Sequence, residues 1–314
     1  MKIYKFFLVI LAVCGLCFSS CSINKLAMNM VADALTGEGG ADVFTGDNDP
    51  QLVGDAIPFA IKMYESLLSG NPEHQGLINT TGSMFVMYAN AFVQGPAEML
   101  PPMKYQERQA AMDRAKNLYL RGLGILYRGL ELKYPGFSTA SKEGRLTEIL
   151  AKMKKDDVPA LYWSAAAGLS AFSIDLMDFR LSAQIPEWNA MIHRAYELDP
   201  DFGGCSLDEF FIIFYASLPD VLGGDPEKAQ VHFNLAIEKS KGTSTSAYLS
   251  YAQNISLPAQ DYETFEYNLK KALEINPDDD PSARLVNILN QQKARWLLDN
   301  AWQFFSFLPI PDDF

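Results

Sequence analysis

Residues that usually carry chemistry are scarce in this 314-residue sequence. Of its four cysteines, Cys14, Cys17 and Cys21 sit near the N-terminus and only Cys205 lies in the body of the chain. A single thiol there leaves no intrachain disulfide to form. The three histidines, His74, His193 and His232, stand singly, with no second ligand at zinc spacing. His193 and His232 fall within stretches of helical pattern, where packing is their expected role. No G-x-S-x-G elbow surrounds a serine, and Cys205 has no histidine beside it in sequence. Asp47, Asp49 and Asp278 to Asp280 lack the glycine and distal glutamate of a calcium loop and read as caps and solvated turns. Gly203-Gly204 and Gly223-Gly224 follow no strand and precede no Lys-Ser/Thr, so they read as left-handed turn residues rather than a phosphate cradle. Basic residues are also short, 26 Lys and Arg against 38 Asp and Glu. Such a chain repels nucleic acid and anionic lipid. An enzyme is the weakest functional class for this composition. No catalytic residue, metal or cofactor is expected.

The N-terminus is a different matter. Lys2 and Lys5 precede a mostly apolar run, Phe6–Phe18, too short to span a bilayer and suited to a signal-peptide core. Phe18, Ser19 and Ser20 then precede Cys21, an arrangement similar to a bacterial lipobox. The expectation is a signal peptide over residues 1–20 and an acylated Cys21 holding the protein on the periplasmic side of a membrane. An ordinary signal peptide with an incidental cysteine is the alternative. Cleavage at that point would leave 24 basic and 38 acidic residues, a net charge of −14. Residues 36–50, rich in Gly, Asp and Thr, read as a flexible tether.

From residue 50 onward the pattern is helical. In Asp261 to Pro277, Tyr262, Phe265, Leu269, Ala272 and Leu273 recur three and four residues apart, with Asp261 as N-cap and Pro277 as terminator. Asp225-Pro226-Glu227 and Asp280-Pro281 mark further starts, and Ser206 with Glu209 fits a capping box. Internal repeats follow the same beat. Ala195 and Pro200 are spaced like Ala272 and Pro277, and Ala229, Phe233 and Ala236 fit the second helix of a tetratricopeptide-like hairpin. The equivalent alanines 195, 236 and 272 lie 41 and 36 residues apart, irregular against a repeat of about 34. An ordinary bundle with coincidental spacing is the plainer reading. We expect an all-α, solenoid-like domain over residues 50–314, without sheet, closed by a capping helix over residues 281–305. That cap should bury Trp296 and Leu297 against the Phe265–Leu269 stripe.

Five blocks resemble, in order, the TRAP transporter T-component (TatT) family. They are DPQLVGDAIPFAIKMYESLL (49–68), DVPALYWSAAAG (157–168), GGDPEKAQVHFNLAI (223–237), QDYETFEYNLKKAL (260–273) and NQQKARWLLDNAWQFF (290–305). The resemblance implies a periplasmic, lipid-anchored accessory protein of a tripartite ATP-independent transporter. It would bind the soluble substrate-binding P component and assist uptake of a small, hydrophobic organic acid. A tetratricopeptide-like lipoprotein scaffold for envelope assembly is the alternative. A homo-oligomer, with a trimer foremost, is expected because anchored copies share a membrane plane.

Two groups of residues are candidates for binding. Met84, Phe85, Met87, Tyr88 and Phe92 belong to a helix apolar nearly all round. Buried core is the plainer role, and the resemblance makes an apolar channel the functional one. Tyr215, Tyr248 and Tyr251 lie on first helices of repeats, which line the concave face in tetratricopeptide proteins. There they would present amphipathic rings to a partner, or else pack between repeats.

Overall fold

The computed structural model describes residues 29–37 and 42–311. The expected signal peptide over residues 1–20 and the expected acylation site at Cys21 lie outside the described residues. Ten helices carry the architecture: α1 Pro50–Gly70, α2 Gln75–Tyr88, α3 Tyr105–Lys133, α4 Val158–Ile174, α5 Ile185–Leu198, α6 Ser206–Ser217, α7 Pro226–Lys239, α8 Thr245–Tyr251, α9 Tyr262–Glu274 and α10 Arg284–Asp299. Among the described residues there is no strand, as the lack of alternation and of hairpin turns predicts. Helices α2 and α8 each run on into a wider π turn, Ala89–Gln94 and Ala252–Ser256.

The helix starts follow the sequence signals closely. Asp49 accepts from the amides of Gln51 and Leu52 ahead of α1, Asp225 from that of Lys228, and Asp261 from that of Thr264. These carboxylates satisfy amides that a helix leaves orphaned and sit at the positive end of its dipole. One expected cap is absent. Ser206 is already the first residue of α6 and donates to the Gly203 carbonyl at 2.8 Å, and the Glu209 side chain turns inward instead of closing a capping box. Gly203, Gly204 and Gly223 adopt the left-handed backbone expected of them. Gly224 does not, and is small for another reason: a Cβ there would stand 1.7 Å from the Leu218 carbonyl oxygen.

The helices pair in sequence order as antiparallel hairpins, α4 with α5, α6 with α7 and α8 with α9, while α3 packs between α2 and α4. The alanines that mark the repeats, Ala195, Ala236 and Ala272, are each fully buried on a second helix, where only a methyl fits between touching backbones. Close approach recurs earlier in the chain. A Cβ on Gly122 of α3 would stand 2.8 Å from the Gly82 carbonyl of α2, and one on Gly168 of α4 would penetrate the Trp188 ring of α5.

The cap differs from expectation in two ways. Leu297, Ala294 and Phe305 are buried against Phe265 and Leu269, but Trp296 is only half-buried and packs edge-on to Phe304. Moreover, α10 reaches back to the start of the domain. Leu285 joins the core of Ala32, Val53 and Ile57, Arg284 donates to the Gly46 carbonyl at 2.8 Å, and Lys293 pairs with Glu98 at 2.5 Å. The repeats therefore close on themselves. Parts of the segment read as a tether are held in the same way: Phe44 packs into that core, and Gly46 is the residue whose carbonyl Arg284 holds.

Candidate functional site: a tyrosine-lined groove

Helices α7, α8 and α9 enclose an open groove of about 460 Å³. Its wall on α7 comes from Gln230, Phe233 and Asn234, spaced so that one face of the helix presents all three. Tyr248 and Tyr251 of α8 and Tyr267 of α9 complete it. The Phe233 ring lies 4.5 Å from that of Tyr251 and 5.8 Å, edge-on, from that of Tyr248. The Tyr251 hydroxyl donates to Gln230 Oε1 at 2.6 Å, and Gln230 Nε2 in turn donates to Asn234 Oδ1 at 3.1 Å. Burial raises the Tyr248 and Tyr251 phenols above their ordinary value, so both stay protonated and able to donate. Tyr267 is 58% exposed, with the Lys271 ammonium over its ring. Aromatic faces, amides and hydroxyls converge here without a paired acid and base.

The three tyrosines singled out from the sequence do not share one surface. Tyr248 and Tyr251 meet in the groove, whereas Tyr215 is 7% exposed, with its hydroxyl 2.9 Å from His193 Nε2. Phe233, which fits the repeat packing rule, also faces the groove, and the spacing of Gln230, Phe233 and Asn234 on one helix face is the sequence signal for that wall. Of the apolar five, Met84 and Phe85 are buried in the core, while Met87, Tyr88 and Phe92 are half-buried. Phe92 lies against the backbone of Gly54, and the Arg114 guanidinium stands 5.5 Å above the Tyr88 ring.

Beside the groove lies a buried polar cluster. Asp208, fully buried on α6, accepts from His232 Nδ1 at 2.8 Å and from the Tyr196 hydroxyl at 3.2 Å, and pairs with Lys239 at 2.8 Å. Burial pushes its carboxyl up, but His232 and Lys239 outweigh that and hold it below the usual carboxylate range. The two partners lie two helical turns apart on α7, so the cluster joins α6 to α7. The other two histidines serve the fold as well: His74 caps α2, and His193 packs among Phe211, Phe214 and Tyr215.

No helix among the described residues is long and apolar enough to cross a membrane. The sequence is 33% identical over 309 residues to an uncharacterized protein of Treponema pallidum (strain Nichols), covering 94% of this chain and 95% of that one. Residues 46–305, which include every helix of the groove and the closing helix α10, match the family described as TRAP transporter T-component. This chain belongs to the TRAP transporter T-component family.

Proposed function

We propose that this T-component is a non-catalytic, lipid-anchored accessory protein that docks the substrate-binding P component in the groove between α7, α8 and α9. Acylation at Cys21 would hold it on the periplasmic face of a membrane, with the groove free to meet a soluble partner. The observation that carries the reading is the groove itself, with Tyr248, Tyr251, Tyr267 and Phe233 around it. Rings of this kind supply large, rigid contact area at little entropic cost and dominate binding energy at protein interfaces. The amides of Gln230 and Asn234 would fix the register of a partner backbone. The cargo expected from the family, a small organic acid, would be carried by the P component. Any apolar passage through the T-component would use Met87, Tyr88 and Phe92, the half-buried members of the apolar five.

The test is sedimentation velocity on the purified protein mixed with the P component at tens of micromolar, above the dissociation constants expected of a standard-sized interface. A complex that is lost in Tyr251→Ala and Tyr267→Ala, and kept in Tyr215→Phe, supports the groove. No complex at that concentration overturns the transport reading and favours an envelope scaffold. The run without partner reports the homo-oligomer, expected as a trimer. Phase partitioning in detergent before and after Cys21→Ala checks the anchor.

A further inference from the structure

The ten side chains that line the groove between α7, α8 and α9 include one acid and no cation. The acid is Glu238, exposed on α7 one turn beyond Asn234 and on the same side of the helix. Lys228 and Lys239, the cations of α7, are engaged by Asp225, Asp208 and Asp201, which leaves Glu238 without a counter-charge among the described residues. Lys271 of α9, beside Tyr267, is held by Glu274 at 2.7 Å. A second acceptor lies deeper. Asn268 is 3% exposed, lines the groove, and donates its Nδ2 back to the Thr264 carbonyl at 2.8 Å. The atom it offers the groove is therefore Oδ1.

The rings beside these oxygens stand at angles to one another. Phe233 is inclined 51° to Tyr251 and 75° to Tyr248, so a planar group lying on one ring meets the next at its edge. A ring face carries the negative lobe of its quadrupole and attracts a cation. That attraction is already used at this groove, where Lys271 Nζ stands 5.8 Å from the centre of the Tyr267 ring. An unbalanced carboxylate, an amide oxygen and several ring faces together complement a positively charged group. In a groove open to water, a guanidinium suits them better than an ammonium. It is planar and can stack on a ring while its N–H edge reaches two oxygens, and it is more weakly hydrated.

We infer that the groove receives an arginine side chain of the docked partner, stacked on the Tyr248 and Tyr251 rings and held at its N–H edge by Glu238 and Asn268 Oδ1. This rests on the docking reading and deepens it, because it names what the P component must present: an exposed arginine at the centre of its contact surface. Arginine is among the residues that dominate binding energy at protein interfaces, and it pairs there with aromatic anchors such as these. The acidic balance of the whole chain, 38 Asp and Glu against 26 Lys and Arg, steers a basic surface toward it.

The probe is Nα-acetylarginine amide at millimolar concentration, followed by saturation-transfer NMR on the full-length protein. Nα-acetylcitrulline amide, of the same shape without the charge, and Nα-acetyllysine amide, of the same charge without the plane, are the controls. The arginine probe should take up saturation through its side chain, and the citrulline probe should bind about fivefold more weakly or worse. Glu238→Gln should weaken the arginine probe about twofold to fivefold, the range for an exposed charge pair. Tyr248→Phe, which keeps the ring and removes only the hydroxyl, should retain the probe. Glu238 is exposed, so its variant leaves the fold intact. Equal binding of citrulline, tighter binding of lysine, binding unchanged in Glu238→Gln, or no binding at all would each overturn the proposal. The docking reading fails separately. A complex with the P component but no binding of the arginine probe leaves docking standing and removes the arginine. Binding of the probe without a complex keeps the arginine site and removes the P component as its source.

Discussion

Asp208 and Glu209 are neighbours in sequence on α6 with opposite electrostatic surroundings, and they should move stability in opposite senses. Asp208 has Lys239 and His232 as partners and a folded-state carboxyl below the usual range. Its contribution is complete above the unfolded value of about 3.9 and is lost as pH falls through the folded value. Asp208→Asn removes the carboxylate that ties α6 to α7 but leaves Lys239 its pair with Asp201, and it should cost about 1–3 kcal/mol in urea unfolding at pH 7. Glu209 is the reverse case. Its raised carboxyl keeps a proton longer in the folded state, so ionising it costs stability as pH rises from about 4.3 through the folded value. Glu209→Gln should therefore raise the thermal midpoint at pH 8 and leave it nearly unchanged at pH 4. Equal shifts at the two pH values would mean that the group is not buried in its charged form.

At the scale of the helices, stability depends on where each apolar stripe finds its partner. Phe305, after α10, is fully buried against Phe265 and Tyr262 at ring separations of 5.1 Å. Phe305→Ala should cost about 3–5 kcal/mol, the usual range for emptying a buried aromatic site. Trp296, on α10 itself, is half-buried, and Trp296→Ala should cost only about 1–2 kcal/mol for the smaller apolar area it covers. Denaturant midpoints of the two variants would check the order. Amides fasten α10 as firmly as its apolar side. Asn287, 1% exposed, accepts from the backbone and hydroxyl of Thr245 at the start of α8, and Gln291 donates to the carbonyls of Ala272 and Ile275 at the end of α9. These bonds satisfy helix-end groups that burial would otherwise leave orphaned.

At the scale of the whole molecule, α10 ties the last hairpin to the first helices. In an open solenoid each repeat contacts only its neighbours, and loss of a terminal unit leaves the far end standing. Here Leu285, Arg284 and Lys293 connect α10 to residues near the start of the domain. Deleting residues 284–311 should therefore lower hydrogen-exchange protection in α1 as well as in α9. Unchanged protection in α1 would show that the closing contacts contribute nothing to its stability.

Much of this was legible in the sequence because it depends on local spacing. The caps at Asp49, Asp225 and Asp261, the buried alanines 195, 236 and 272 and the absence of strand follow from residues a few positions apart, where helix geometry alone decides the outcome. The family was legible as well, since its blocks run in order along the chain. The groove, the closure and the Glu209 environment depend on residues that meet across distance. Ser206 and Glu209 have the spacing of a capping box, yet Ser244, more than thirty residues on, draws the carboxyl inward. Tyr215 and Tyr251 look alike on first helices, but His193 holds one in the interior while Gln230 holds the other at the groove. Lys293 reads as a surface charge until the fold brings Glu98 to it. Periodicity determines which face of a helix is apolar. Only the packing of helices distant in sequence decides which polar groups are left facing one another inside.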